Sequence, residues 1–285
     1  MAAPHTQKEL DNTRMKKLFI IEHRAHEYAN RLLNDMSIYA YGIESGREVV
    51  NISFFEQDRV LRRPYALYAW MVDKVTRGKA GIWALGGPKF LSPTEALPPA
   101  LEAQETLYFF GWMFRNPLGL ERYRKQIIEK FGSSPRLQRK IESLVAPLKT
   151  GRIKIGVHLR LIPFGGFEDG EFLVSSTRVR EIIDEYMREK QLHKGDVELL
   201  IASDRAPAAK IFEGYTTHVY LENAETNLFL LSTCSVVIGT NTTLSNTAAW
   251  FANVPHIVTK NNSIDWPYYF GKETYFENKY ANFAQ

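Results

Sequence analysis

The sequence predicts an α/β protein in which two Rossmann-like lobes, each built around a parallel sheet, face one another. Three observations predict this fold class. Near the N-terminus, a strand, a helix and a second strand follow one another in the order of a parallel βαβ unit. A similar alternation restarts after Thr150-Gly151 and continues to about residue 258. The 285 residues also suffice for two lobes of about 140 residues, each large enough to bury its own core.

The elements of the first half follow from apolar spacing and from residues that end helices. The apolar run Lys17–Ile21 predicts a buried strand, and the apolar residues of Tyr28–Ser45 recur on one helical face. Gly46 favours a helix end, so that Glu48–Ile52 can form the second strand. The remaining predictions are helices at 67–75, 119–130 and 135–148 and strands at 81–85 and 107–113.

The second half predicts a longer run of alternating elements. We expect strands at 154–160, 197–202, 217–221, 235–239 and 255–258, and helices at 176–190, 205–212, 226–232 and 244–252. The predicted domains are therefore 1–150 and 151–260. A C-terminal tail, 261–285, is expected to pack back on the first lobe.

Composition and charge exclude several classes of protein. Apolar residues make up 45% and charged residues 24%, values typical of a globular protein rather than a disordered, collagenous or coiled-coil chain. The net charge of +4 is weak for a nucleic-acid binder, whereas the pI of 8.9 is compatible with an anionic small ligand. No run approaches the roughly 18 apolar residues of a membrane span. The single cysteine, Cys234, predicts a buried free thiol in a reducing, cytoplasmic location.

Candidate binding residues follow the predicted strands, because open parallel sheets bind ligands at the carboxyl ends of their strands. His158 and Arg160 end one strand, where side chains two positions apart share a face. The planar guanidinium of Arg160 suits a phosphate. Ser203 and Asp204 end the next strand, where the carboxylate can either hydrogen-bond a ribose or a base, or cap a helix.

A dense set of hydroxyl and amide side chains follows the strand at 235–239. Thr240, Asn241, Thr242, Thr243 and Ser245 open the helix predicted there. Backbone N–H groups and hydroxyls at a helix N-terminus form an anion site, because the helix dipole favours negative charge. The segment therefore predicts a diphosphate site that needs no metal.

The first half contributes a smaller polar set. Glu22-His23-Arg24 follows the first strand, and Asn30, Arg31 and Asn34 lie at the start of its helix, so these residues would face the second lobe across a cleft. No P-loop, GxGxxG, HExxH, GxSxG or DxD motif occurs, and Glu168-Asp169 is expected to be solvated or to face an acceptor. The sequence predicts neither a metal site nor an organic cofactor.

Three of these segments resemble the α-1,2-fucosyltransferase family and its relatives among the protein O-fucosyltransferases. The last family motif, roughly N-S-S-F-S-W-W-G-A-W-L-N, corresponds to Asn241–Asn253, which keeps both hydroxyls, the following serine and the Ala-Trp pair. The motif H-x-R-R-x-D corresponds to His158–Pro163, which keeps the histidine and the first arginine and lacks the second arginine and the aspartate; the O-fucosyltransferase relatives also carry His-Leu-Arg before an apolar residue. The motif G-R-x-G-N-Q corresponds to Asn30–Asp35, which keeps the arginine and asparagine and lacks both glycines.

The resemblance implies a GT-B fold and an inverting transfer of fucose from GDP-fucose to a glycan without a metal. The second lobe would hold the donor, with Arg160 on the β-phosphate and His158 at the nucleotide. Asp204 would hold the nucleoside. The other residues implied on the donor side are Ser203, Thr240, Asn241, Thr242, Thr243 and Ser245.

The same resemblance assigns the acceptor side to the first lobe. Arg31 and Asn34 would line the cleft where the acceptor hydroxyl meets the sugar. Inversion also calls for a base that accepts the hydroxyl proton. Asp169 is the first candidate, with Glu168, Glu22 and Glu27 as alternatives, although some relatives work without a dedicated base.

Two other functions stay open at this point. A different nucleotide sugar can replace GDP-fucose, because the residues around Asp204 do not show which base they bind. The missing second arginine and missing glycines also fit a nucleotide- or glycan-binding protein without catalysis. The aromatic residues Trp112, Trp266, Tyr268 and Tyr269 are expected in the core more often than against a sugar face.

Overall fold

The computed structural model describes residues 16–21, 28–51, 82–84, 89–90, 106–110, 114–162 and 174–275, and elements are numbered within these residues. The strands are β1 Lys17–Ile21, β2 Glu48–Asn51, β3 Ile82–Ala84, β4 Lys89–Phe90, β5 Thr106–Phe110, β6 Phe114–Arg115, β7 Ile153–Leu159, β8 Val197–Ser203, β9 Thr217–Tyr220, β10 Val236–Gly239 and β11 His256–Val258. The helices are α1 Tyr28–Ser45, α2 Pro117–Arg122, α3 Arg124–Phe131, α4 Pro135–Val145, α5 Ser176–Glu189, α6 Ala224–Leu231, α7 Thr243–Ala252 and α8 Trp266–Tyr269.

The first lobe contains a parallel sheet in the order β2-β1-β5-β3. Strand β1 pairs with β2 on one side and with β5 on the other, and all pairings of this sheet are parallel. Parallel neighbours need a crossover connection, and α1 supplies it between β1 and β2. The two short strands β4 and β6 form a separate parallel ladder.

The second lobe contains a five-stranded parallel sheet in the order β11-β10-β7-β8-β9. The chain starts at the central strand β7, builds outward through β8 and β9, and then returns to build β10 and β11 on the other side. The strand order therefore reverses between β7 and β10. In doubly wound sheets, this switch point opens the crevice in which ligands bind.

The buried residues of the second sheet alternate between two hydrophobic clusters. On β8, Leu199 and Ile201 face the cluster that contains Ile182 and Ile183 of α5. Leu200 and Ala202 face the cluster that contains the residues of α6 and α7. Successive strand residues point to opposite faces, and both faces of β8 are covered by helices, which explains the apolar run Leu199–Ala202 within this strand.

Helix α1 of the first lobe belongs to the same core as the helices of the second lobe. Leu32, Leu33 and Met36 are buried in one cluster with Leu231 of α6 and Trp250 of α7. Helices of the two lobes therefore form one continuous apolar layer. The apolar face that the sequence showed for 28–45 is wide because it packs against both lobes.

Local sequence signals account for most helix boundaries. Ser175 begins α5 by accepting the backbone N–H of Arg178, and Thr242 begins α7 by accepting that of Ser245. Asn253 ends α7 in the left-handed conformation, with φ 56° and ψ 47°. Asparagine tolerates this region because its short polar side chain bonds locally.

Two helix predictions need correction. The helix expected at 205–212 is only a single 3₁₀ turn, Ala209–Phe212, because Pro207 has no N–H to donate and disfavours a helical conformation at the residue before it. The helix expected at 119–130 is two helices, α2 and α3, which meet at Tyr123. The helix expected at 67–75 lies outside the described residues.

The remaining expectations can be compared with the part of the chain that the structure describes. Cys234 is a buried free thiol, and burial raises its pKa to about 12. In α8, Trp266 Nε1 donates to Glu185 of α5 at 3.0 Å, whereas Tyr275 is buried in the cluster that contains α1. The division into 1–150, 151–260 and 261–285 stays a prediction. None of the described helices has the length and apolar character needed to cross a membrane.

The shared helical layer makes α1 a strong contributor to stability. We expect Leu32→Ala to lower the free energy of unfolding by about 2–5 kcal/mol, because it leaves a cavity at a fully buried position. The matched control is Leu118→Ala, since Leu118 is 48% exposed and its loss should cost little. Urea denaturation of both variants provides the measurement, and equal losses would contradict the assignment of α1 to the core.

Candidate functional site

The candidate site lies at the switch point of the second sheet, where β7 and β10 end side by side. Gly239, the last residue of β10, is opposite His158 in the register of the two strands. Arg160 follows β7 directly, and the polar segment after β10 leads into the first turn of α7. The structure thus brings together two of the segments that the sequence singled out.

Three side chains form the centre of this site. His158 Nδ1 lies 2.7 Å from Ser245 Oγ and 3.2 Å from Thr242 Oγ1. The two hydroxyls are themselves 3.1 Å apart. The triangle ties the end of β7 to the first turn of α7, so that a strand end and a helix N-terminus hold one another in place.

Gly239 allows this close approach. A Cβ atom on residue 239 would lie 2.9 Å from His158 Cβ and 2.9 Å from Ser245 Oγ. Both distances are shorter than ordinary van der Waals contact. A larger residue here would push the strand end and the helix apart.

The triangle adjoins a buried hydrogen-bond network in which Asn241 is a predicted site residue and His256 was missed by sequence reasoning. Asn246 Nδ2 donates to Asn241 Oδ1 and to the carbonyl of Thr242, each at 3.1 Å. These two bonds fix the amide orientation, so Asn246 Oδ1 accepts from His256 Nδ1 at 2.9 Å. The available signal was a histidine at the start of the last predicted strand, where an apolar residue is usual.

Burial keeps both histidines neutral. It lowers the pKa of His158 to about 4, with the nearby Arg160 cation acting in the same direction and Asp204 opposing it. It lowers the pKa of His256 to about 3, helped by His158. At neutral pH, the fixed positive charge of the described site therefore comes from Arg160 and from the dipole of α7.

Asp204 has a backbone partner on each carboxylate oxygen. Its Oδ1 accepts the N–H of Leu161 at 2.8 Å, and its Oδ2 accepts that of Ile162 at 3.1 Å. Because these residues follow Arg160 directly, Asp204 holds the segment that carries the guanidinium. Ser203 Oγ accepts the N–H of Arg205 at 3.3 Å.

Thr240 and Thr243 differ in what their hydroxyls contact. Thr240 is 2% exposed, and its hydroxyl has no hydrogen-bond partner among the residues that the structure describes. Thr243 Oγ1 donates to Asn30 Oδ1 of α1, which makes a direct bond between the lobes. Thr243 therefore connects the site to the first lobe. The sequence had suggested instead that its hydroxyl contacts a phosphate.

The two residues predicted on the acceptor side belong to α1, and their side chains are buried. Asn34 is fully buried and accepts the N–H of Phe114 at 3.0 Å, which fixes the start of β6 to α1. Arg31 is also buried. Their roles toward an acceptor stay predictions. Asp169, Glu168, Glu22 and Glu27 lie outside the described residues.

Among the residues that the structure describes, no group of three or more His, Cys, Asp or Glu side chains lies close enough together to hold a metal ion.

Solved structures of fucosyltransferases share this fold. POFUT1 in complex with GDP-fucose matches with a TM-score of 0.54 at 11% identity, over 86% of this chain and 98% of that chain. The Bradyrhizobium protein NodZ, an α-1,6-fucosyltransferase soaked with GDP-fucose, matches with a TM-score of 0.50 at 14% identity, over 84% and 94%. A mutant of Arabidopsis thaliana FUT1 in complex with GDP matches with a TM-score of 0.50 at 13% identity, over 86% and 71%.

These likenesses establish the fold and leave the activity to be argued from the site. The chain has two facing Rossmann-like lobes in a GT-B arrangement. No protein-family model matches the chain, and no curated protein matches it significantly by sequence.

The close approach at Gly239 predicts a loss of anion binding when the residue is enlarged. We expect Gly239→Ala to destabilise the protein by about 1–3 kcal/mol through overpacking and to weaken any anion bound at α7. The measurement is urea denaturation together with binding of GDP. The control is Gly195→Ala, because a Cβ on that residue meets no atom within 4 Å.

The buried neutral histidines predict that stability falls in mild acid. In the unfolded chain, histidine takes up a proton near pH 6.5, whereas folded His158 does so near 4 and folded His256 near 3. Below pH 6.5 the unfolded state therefore binds more protons. The free energy of unfolding should fall by roughly 1.4 kcal/mol per pH unit for each histidine until pH approaches 4.

Denaturation at pH 7.5, 6.0 and 5.0 checks this slope. His256→Gln should flatten it by about half, and His193→Gln, which changes an exposed histidine, should leave it unchanged. A stability that stays constant between pH 7.5 and 5.0 would contradict the assigned burial of the two imidazoles.

Proposed function

We propose that this protein is a metal-independent, inverting glycosyltransferase that transfers fucose from GDP-fucose to a glycan hydroxyl. One observation carries the proposal. The His158–Thr242–Ser245 triangle and Arg160 lie at the switch point of the second sheet in a GT-B fold. Ligands of doubly wound sheets bind at this point, and the groups present suit an anion.

The chemistry of the site suits a diphosphate. The Thr242 hydroxyl already accepts the N–H of Ser245, whereas the N–H groups of Thr243 and Leu244, the first two residues of α7, have no acceptor within the helix and can donate to phosphate oxygens. Arg160 adds a permanently charged donor that can make two parallel hydrogen bonds. The neutral histidines add no charge to the site. Their hydrogen bonds to Thr242, Ser245 and Asn246 hold the segment that would bind the anion.

The same groups would stabilise the transition state. In an inverting transfer, the acceptor oxygen forms a bond to C1 of fucose while the bond from C1 to the β-phosphate oxygen breaks. The electron pair of that bond leaves with GDP, and the acceptor proton passes to a base or to solvent. Arg160 and the N-terminus of α7 would bind the growing negative charge, a contribution typically of about 2.7–4 kcal/mol for one such donor.

GDP-fucose is the preferred donor for two reasons. The segments at 30–35, 158–163 and 241–253 resemble those of α-1,2-fucosyltransferases. The structural neighbours named above are fucosyltransferases, solved with GDP or GDP-fucose. The motifs favour an α-1,2 linkage, and because one neighbour is an α-1,6 enzyme, the linkage of the product is a necessary part of the test.

The proposal divides the work between the lobes. Residues 151–260 would bind the donor and residues 1–150 the acceptor, with Arg31 and Asn34 near the reacting hydroxyl and Asp169 as the candidate base. Trp266, Tyr268 and Tyr269 are residues of α8, and they pack on one another and on the apolar cluster of the second lobe that contains α5. This packing supports a structural role for them. A cytoplasmic location stays part of the proposal.

The first test is thermal stabilisation by GDP, GDP-fucose, UDP and ADP, with and without EDTA. A ligand at 100 times its dissociation constant should add about 2.7 kcal/mol of stability, worth several degrees at this size. We expect a guanine-selective shift that EDTA leaves unchanged and that Arg160→Ala abolishes. Arg139→Ala is the matched control, because that arginine is exposed on α4.

The remaining outcomes separate the alternatives. A shift with UDP or ADP alone would replace the donor, and no shift with any nucleotide would reject the proposal. A shift with GDP-fucose but no transfer of labelled fucose to any glycan would indicate a binding protein without catalysis.

A further inference from the structure

Helix α7 is held at both of its ends by the first lobe. At its N-terminus, Thr243 bonds to Asn30 of α1. At its C-terminus, Arg124 of α3 contacts the last turn. The helix whose first turn forms part of the candidate site thus contacts the first lobe at both of its ends.

The contact of Arg124 is specific in geometry. Its Nη2 donates to the carbonyl of Trp250 at 3.1 Å and to that of Phe251 at 2.9 Å. The carbonyl of Trp250 also accepts the N–H of Asn253 at 3.2 Å, so the guanidinium adds a second donor there and a donor for the carbonyl of Phe251. The C-terminal end of a helix carries negative partial charge, which favours a cation at this point. The guanidinium carbon also lies 5.4 Å from the ring centre of Trp250, within cation–π distance.

Arg124 is itself fixed to the first lobe. It is the first residue of α3, whose Phe131 packs edge-on against Tyr39 of α1, with ring centroids 5.5 Å apart. Trp250 is fully buried in the cluster that contains α1 and α6. Both partners of the contact are therefore anchored, and the position of α7 along its axis depends on where α3 lies.

We infer that Arg124 is a positioning residue that sets the first turn of α7 through the far end of that helix. Helix α7 has ten residues, about 15 Å of rigid rod, so a shift at Trp250 moves Thr242 and Ser245 with it. The triangle with His158 tolerates little displacement, because lengthening its 3.1 and 3.2 Å contacts would break them and the packing at Gly239 leaves no room for a closer approach. The nucleotide part of this inference rests on the proposed function; the mechanical part does not.

The test compares Arg124→Ala and Arg124→Lys with Arg122→Ala. Arg122 lies two positions away, is exposed, and pairs with Glu44 of α1 at 3.6 Å. Hydrogen exchange of the α7 amides is followed in the full-length protein well below its melting temperature, and the affinity for GDP is measured by calorimetry.

We expect Arg124→Ala to speed exchange at residues 245–248 by about tenfold and to weaken GDP binding by about tenfold, as for the loss of a hydrogen bond to a charged group. Arg124→Lys should give smaller changes, because an ammonium can reach the same carbonyls without the planar fork. Arg122→Ala should change neither quantity.

The inference is overturned if Arg124→Ala speeds exchange only at the last turn of α7 and leaves GDP affinity unchanged, since Arg124 would then be a local packing contact. If the wild-type protein binds no nucleotide, the proposed function fails by itself. The exchange at residues 245–248 still decides the mechanical coupling in that case. Should Arg124→Ala fail to fold, the same comparison is made between Arg124→Lys and wild type.

Discussion

The hydrogen bonds between His158 and the hydroxyls of Thr242 and Ser245 are the constraint on which the site depends. They join the end of the central strand to the start of α7 at the point where the sheet reverses its strand order. Glycine at residue 239 leaves room for them. Because the imidazole is buried and neutral, hydrogen bonds rather than charge join the strand to the helix. Arg160 supplies the positive side-chain charge of the described site.

Burial of His158 and His256 has an electrostatic cost, because it disfavours the protonated form of each imidazole, and the rest of the fold offsets this cost. Two imidazoles are kept from protonation in a layer that also holds Asn246 and its bonds to the loop below. Buried polar groups of this kind stabilise only when their hydrogen-bonding partners are present. The network therefore favours a single arrangement of the 240–246 segment, which is the preorganisation that anion binding and transition-state stabilisation require.

Helix α7 links this local arrangement to the whole molecule. Its buried face packs with α1 and α6, its first turn meets Asn30, and its last turn meets Arg124. Under the proposed function, the donor would bind on one lobe and the acceptor on the other. A helix shared between the lobes would then couple the geometry of the donor side to the position of the first lobe.

The sequence by itself determined the local structure. The positions of β1, α1 and the strands of the second sheet, and the residues at the strand ends, follow from short-range spacing. It also indicated that His158, Arg160 and the 240–245 segment share one sheet edge, because parallel strands end together. Where Pro207 removes a donor, the same short-range reasoning overestimated a helix.

Only the tertiary structure decided which of these groups meet. It gave Asp204 two backbone N–H partners, turned Thr243 toward Asn30, and placed Asn34 inside the first lobe. It also added His256 and Arg124, which no motif contains. The physical reason is that periodicity and capping act over a few residues, whereas these contacts join segments from ten to more than two hundred residues apart, whose meeting is set by strand order and helix packing.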